Sequence, residues 1–310
     1  MREDTSSQPD MVVILGPTAS GKSTLGIALA LRFNGEIVSA DSRQVYRSLD
    51  IGTAKVTPAE QALVPHHLLD VADPRDTYTV SQFQHDAIAA INGIVARGRQ
   101  PFLVGGSPHY IQAVVDNLAI PQVPPQPELR AELENRPLPD LLALLEELDP
   151  QSAATIDRSN PRRILRALEV CLVTGRPFSA QRSMSHPLYR CLLLGIYWPR
   201  DVLYNRIDIR IDERVEQGLV QEIQNLLNQG LTHERLEAMG LEYRFVSRWL
   251  RGEFASKVEM IQRLKYASHD FVRRQLTWFR KDQRIVWIEG GEEMIQKAES
   301  EVYNFLTKSS

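Results

Sequence analysis

Apolar residues in the first third of the chain gather in short unbroken blocks, each closed by glycine or a small polar residue. MVVILG (11–16) reads as a buried parallel strand ending in glycine. After the segment GPTASGKS, the run LGIALALRF carries apolar positions at helical spacing. GEIVSADS (35–42) is a second strand with a polar end. A helix over 81–98 stops at Gly98, and QPFLVGGS (100–107) is a third strand ending in glycines and a hydroxyl. This alternation predicts a parallel sheet flanked by helices. Ligands on such sheets bind at the carboxyl ends of the strands, so Gly16, Asp41 and Ser107 are expected to converge.

Near residue 119 the pattern changes. AIPQVPPQP is too rich in proline for a helix or an interior strand. ELRAELE, LPDLLALLEELDP and PRRILRALEVCLVTG then repeat with helical period. RCLLLGIYW (190–198) reads as a returning core strand, followed by helices, a last strand at 284–289 and a final helix. Residues 119–187 are therefore read as a helical insertion in an α/β core formed by 1–118 and 188–310. The first ten residues are polar and mixed in charge, a loose tail rather than a secretory signal.

Composition narrows the class. A 310-residue chain that is 43% hydrophobic suffices for one large domain with an insertion. No apolar run reaches the ~20 residues of a membrane-spanning helix, so no membrane partner is expected. Two cysteines without CxxC spacing exclude a disulfide framework and point to a reducing cytoplasm. Net charge is −3, yet 155–182 holds six arginines against two acids, and 261–284 seven Lys/Arg against two acids. Such patches bind phosphates locally, and the same pattern also describes a solvated helix face.

Gly16, Pro17, Thr18, Ala19, Ser20, Gly21, Lys22 and Ser23 match GxxxxGK[ST] between a predicted strand and a predicted helix. Backbone amides and the positive end of the helix cradle phosphate, Lys22 adds charge, and the Ser23 hydroxyl is the candidate magnesium ligand. The fold expected is α/β, a P-loop NTPase-like parallel sheet with a helical insertion domain. The motif alone leaves a nucleotide kinase open as a rival.

SADSRQVYRSLDIGTAKVT (39–57), PHHLLDVADPRDTYTVSQF (65–83), LVGGS (103–107), RRILRALEVCLVTG (162–175) and RRQLTWFRKD (273–282) together resemble the tRNA dimethylallyltransferase family, in its order and over almost the whole chain. The resemblance implies that the loop holds the diphosphate of dimethylallyl diphosphate rather than ATP. The acceptor implied is the exocyclic N6 amine of the adenosine 3′ of the anticodon, in tRNAs reading codons that start with U. It makes Asp41 the base, Ser107 (a threonine in the family) the residue positioning the amine, and Arg210 a phosphate ligand. It gives tRNA contacts to Asp41, Ser42, Arg43, Gln44 and Ser107, and to Arg162, Arg163, Ile164, Leu165 and Arg166, with Arg130 near the anticodon loop. Arg162 and Arg166, four apart, share a helix face. Magnesium follows from the leaving-group chemistry, although no carboxylate cluster demands it. A monomer is expected.

Some of these residues have a plainer reading. Asp41 also fits a helix N-cap, and Arg210 a surface partner of an acid. Tyr46, His66 and His67 fit packing and hydrogen bonding, and Trp278 and Phe279 fit the core. The chain departs from the family at Pro108 and His109, at Asn160 (usually aspartate), at His269 (usually arginine) and at Gly240–Tyr243. Two further readings remain: prenylation of free adenine nucleotides, and tRNA binding without catalysis.

Overall fold

The computed structural model describes residues 8–121, 123–181 and 186–308; the expected N-terminal tail up to Ser7 and Arg182 of the first basic stretch lie outside the described residues. In chain order come β1 (Asp10–Leu15), α1 (Lys22–Arg32), β2 (Gly35–Ser39), α2 (Pro58–Leu63), β3 (His66–His67), α3 (Val80–Ala96), β4 (Gln100–Gly105) and α4 (Pro108–Val115). Four helices follow: α5 (Pro127–Glu134), α6 (Leu138–Leu148), α7 (Pro150–Thr155) and α8 (Pro161–Thr174). Next are β5 (Arg190–Tyr197), α9 (Arg200–Glu216), α10 (Leu219–Asn228), α11 (His233–Ala238) and α12 (Leu241–Leu250). The long α13 (Lys257–Phe279), β6 (Ile285–Glu289) and α14 (Met294–Thr307) complete the chain. The chain divides into two compact units: one runs to Ile111 and resumes at Leu188, and the other spans Gln112–Pro187.

The first unit is built on six parallel strands in the order β3-β2-β4-β1-β5-β6. β1 is central, with Val12 opposite Phe102 on one side and Leu192 on the other. Helices cover both faces of such a sheet, so β1 is apolar at consecutive positions instead of alternating. Leu25 and Leu29 of α1 and Ala298 and Val302 of α14 pack with Ile14, Ile37, Phe102 and Ile196. A second cluster joins Leu203, Ile207 and Ile211 of α9 to Leu264 and Val272 of α13. Bidentate contacts from Arg190 to Asp10, at 2.6 and 2.8 Å, tie the amino ends of β5 and β1.

This strand order sets β2, β4 and β1 side by side, so the segments after them emerge as neighbours. At Gly105 a Cβ would stand 2.1 Å from the Ala40 carbonyl oxygen, so only glycine lets the end of β4 close on the end of β2. Pro108, the departure after Ser107, opens α4, where a missing N–H has no helical acceptor to lose.

In the second unit, Leu133, Leu141, Leu145, Ile164, Leu165 and Leu168 form the core. Asn160 caps α8 by accepting from Arg163 N at 3.4 Å, and Gly175 ends it at φ 65°. An amide at 160 thus keeps the capping role of the usual aspartate. Among the described residues no helix is long and apolar enough to cross a membrane.

Candidate functional site

Gly16 leaves β1 at φ 150°, and a Cβ there would meet the Ile196 carbonyl at 2.9 Å. The loop that follows is fastened from outside. Trp198 Nε1 donates to Ser20 O at 3.0 Å, and Arg206 Nε donates to Ala19 O at 3.0 Å with its guanidinium 4.4 Å from the Trp198 ring centre. Thr18 N donates to Gln275 Oε1 at 3.2 Å. Among the described residues no side chain caps α1 at Gly21, which leaves its positive end open to a ligand.

Lys22, the first residue of α1, donates to Pro17 O at 2.6 Å. Its pKa falls from the ordinary 10.5 to about 7, through burial first and the Arg210 charge second, against an opposing pull from Asp41. Arg210 on α9 falls to about 10, mainly through burial and the Arg214 charge, with Glu242 and Glu213 pulling upward. Neither Lys22 nor Arg210 pairs with a carboxylate among the described residues. Two desolvated cations that repel each other, neither in an ion pair, are an arrangement that can take up an anion.

Beside it, Asp41 Oδ1 accepts from Arg43 N at 2.8 Å and Gln44 N at 3.3 Å, closing a turn rather than starting a helix. Oδ2 has no hydrogen bond among the described residues. Ser107 Oγ accepts from Ser42 N at 3.0 Å and lies 3.3 Å from Ser42 Oγ. The Asp41 turn and the end of β4 are therefore joined through Ser42.

Several of the other predicted contacts are otherwise engaged. The Gln44 amide donates to Thr53 O and Ala54 O and accepts from Ser39 Oγ, so its side chain holds the 50–55 loop instead of facing a partner. The half-buried Arg43 has no carboxylate partner among the described residues. Ile164 and Leu165 are core residues of the second unit, and their side chains are not available for RNA contact. Arg130 and Arg166 clamp the fully buried Glu169, at 2.7 and 2.8 Å and at 2.5 Å, and Arg166 also donates to Val123 O. Burial opposes the Glu169 charge, yet these hydrogen bonds hold its carboxyl below the ordinary range. Arg166 therefore does not present a free phosphate-binding head beside Arg162. Arg162 and Arg163 are the exposed members of the segment.

His67 pairs with Glu36 at 2.7 Å, His66 Nδ1 lies 2.7 Å from Val64 O, Tyr46 OH accepts from Tyr78 N, and Phe279 is buried. Sequence reasoning missed Gln275, Trp198 and Glu222. The Glu222 carboxylate accepts from Asp50 N, Ile51 N and Gly52 N and from Tyr243 OH, fixing the loop that Gln44 holds from its other side. Its only signal was DIGTAK, a motif without a visible partner.

No group of three or more His, Cys, Asp or Glu among the described residues is placed to hold a metal. Ser23 offers one hydroxyl, with no partner among the described residues, on the first turn of α1. That donor set suits an ion carried on phosphate oxygens and keeping its waters, as magnesium does, and does not form a protein cage.

A family model described as IPP transferase matches residues 44–282, and one described as isopentenyl transferase matches 9–71. A tRNA dimethylallyltransferase of Thermomicrobium roseum is 46% identical over 90% of this chain and 86% of its own length. One of Roseiflexus castenholzii is 47% identical over 94% and 96%. Among solved structures, a full-length tRNA isopentenylpyrophosphate transferase of Bacillus halodurans superposes with TM-score 0.72 at 37% identity, covering 97% of both chains. A eukaryotic dimethylallyltransferase acting on tRNA gives TM-score 0.84 at 26% identity, over 97% of this chain and 80% of that one. With a family model spanning residues 44–282 and relatives matching nearly end to end, the chain belongs to the IPP transferase family.

Proposed function

We propose that the protein transfers the dimethylallyl group of dimethylallyl diphosphate to the N6 amine of the adenosine 3′ of the anticodon, in tRNAs reading codons that start with U. The products are N6-isopentenyladenosine and diphosphate. The observation that carries this reading is that Lys22 and Arg210 are both desolvated, Lys22 feels the charges of Arg210 and Asp41, and neither cation forms an ion pair among the described residues. A diphosphate restores the charge balance of the pair, and the negative charge it gains on leaving is largest where these cations stand.

In the reaction the allylic C–O bond breaks and its electron pair leaves with diphosphate. The N6 lone pair attacks the allylic carbon, and the proton that N6 sheds passes to Asp41 Oδ2. Ser107 Oγ accepts one bond from Ser42 N, and its second lone pair receives the amine N–H, which aims the nitrogen. Magnesium, when bound, adds positive charge on the diphosphate oxygens, and Ser23 is the residue that would hold it. The 119–187 insertion contacts the anticodon arm, with Arg162 and Arg163 on phosphates, and the protein acts as a monomer in the cytoplasm.

The test incubates the protein and magnesium with labelled dimethylallyl diphosphate, offering tRNA or AMP. Label in tRNA at the adenosine 3′ of the anticodon is the expected result. Label in AMP alone selects the free-nucleotide reading, and label in neither overturns transfer.

A further inference from the structure

Gln275 lies in the middle of α13, 7% exposed, between the buried Val272 and Phe279 on the same helix. A buried amide without partners is costly, and this one is satisfied at both ends. Its Oε1 accepts from Thr18 N at 3.2 Å, inside the phosphate loop. Its Nε2 donates to Gly106 O at 2.8 Å, one residue before Ser107. The surroundings of Gly106 give an independent view of the same junction. A Cβ at Gly106 would lie 3.3 Å from Gln275 Nε2, 3.3 Å from Gly16 O and 3.5 Å from Lys22 Nζ. A Cβ there would be tight against both loops, which meet at this point, and one amide spans them.

We propose that Gln275 is a positioning residue for the transfer reaction: it fixes the loop that holds the donor diphosphate against the strand end that carries Ser107. The proposal rests on the function proposed above. An in-line displacement needs donor and acceptor atoms in near-contact, and small misplacement costs rate even when both substrates bind. Both polar atoms of the Gln275 amide are spent on the two loops. Its effect travels through Thr18 N on the donor side and Gly106 O on the acceptor side. Because α13 itself is anchored by its buried apolar residues, the amide is a fixed spacer rather than a mobile strap.

The experiment compares Gln275→Met, which keeps the bulk and loses both bonds, with Gln275→Glu, which keeps the acceptor for Thr18 N and loses the donor to Gly106 O. Single-turnover transfer is measured at saturating dimethylallyl diphosphate and tRNA, with Kd for each substrate and the melting temperature. Gln275→Met is expected to lower the transfer rate by about 10- to 100-fold, and Gln275→Glu by less. Kd for tRNA should stay within about twofold. Each change is then repeated in Ser107→Ala. If Gln275 acts through the placement of Ser107, its loss costs at least several-fold less in that background; a residue that only supports the fold gives multiplicative losses. Unchanged single-turnover rates in both variants, or full multiplicativity with Ser107→Ala, overturns the proposal. Should Gln275→Met fail to fold, the isosteric Gln275→Glu decides alone by the same criteria. Absence of transfer by the unmodified protein refutes the function itself, a result distinct from a failure of the variants.

Discussion

At the scale of single residues, Lys22 carries the sharpest consequence. Its folded pKa of about 7 lies far below the ordinary 10.5. Between these values the unfolded chain holds a proton that the folded chain lacks, so this group's contribution to stability rises with pH in that window and is flat below it. A bound diphosphate favours the ammonium. Binding above pH 7 should therefore take up a proton, and donor affinity should fall by up to about tenfold per pH unit. Calorimetry at pH 8 in two buffers of different ionisation enthalpy measures the uptake; none in the unmodified protein means that Lys22 is already charged there. Asp41 gives the second prediction. Asp41→Asn keeps an acceptor for Arg43 N and Gln44 N but removes the base, so transfer should drop by ~10²–10⁴-fold with melting temperature and tRNA affinity preserved. Near-normal turnover reduces Asp41 to a cap of its own turn. Lys22, Asp41 and Ser107 were legible because each ends a strand or follows a glycine pattern. Gln275 and Glu222 were not, because what marks them is a partner more than a hundred residues away.

At the scale of elements, α8 shows what an arginine-rich stretch conceals. Charge counting along the sequence registers heads, not partners, and Arg166 reads like Arg162 until buried Glu169 is seen. The two sets separate experimentally. Replacing exposed Arg162 and Arg163 by alanine should leave melting unchanged and flatten the salt dependence of tRNA binding, each lost phosphate contact lowering the log–log slope by about 0.7–0.9. Replacing Arg166 should instead destabilise the 112–187 unit by about 1–3 kcal/mol, because a buried carboxylate loses one of its hydrogen bonds. Denaturant melts beside filter binding distinguish the cases, and an unaltered salt slope in the double variant removes α8 from the RNA surface. The elements themselves were readable where periodicity ran long: β1, β2, β4, β5 and the helices α1, α3, α9, α13 and α14 appear close to where the pattern predicts them. The two-residue β3 and the short α2, α4 and α11 escaped, since about two helical turns or a bridge of two residues leaves too little period to detect.

At the scale of the whole molecule, the order of strands in the sheet differs from their order along the chain, and that has a consequence in time. β1 takes β4 as one neighbour and β5 as the other, and β5 begins at Arg190, after the whole insertion. A ribosome adding roughly 5–20 residues per second needs on the order of 4 to 17 s to travel from Gly105 to Arg190. Throughout that interval one edge of β1 has no partner and presents unpaired N–H and C=O groups to other nascent chains. The phosphate loop waits as well, because Ile196 and Trp198, which press on Gly16 and hold Ser20, have not been made. A chain stopped at residue 187 should therefore neither bind inorganic diphosphate nor resist protease over residues 10–40, and protection there without β5 would contradict this. Long-lived half-sheets of this kind are natural clients for a chaperone that shields hydrophobic edges during synthesis.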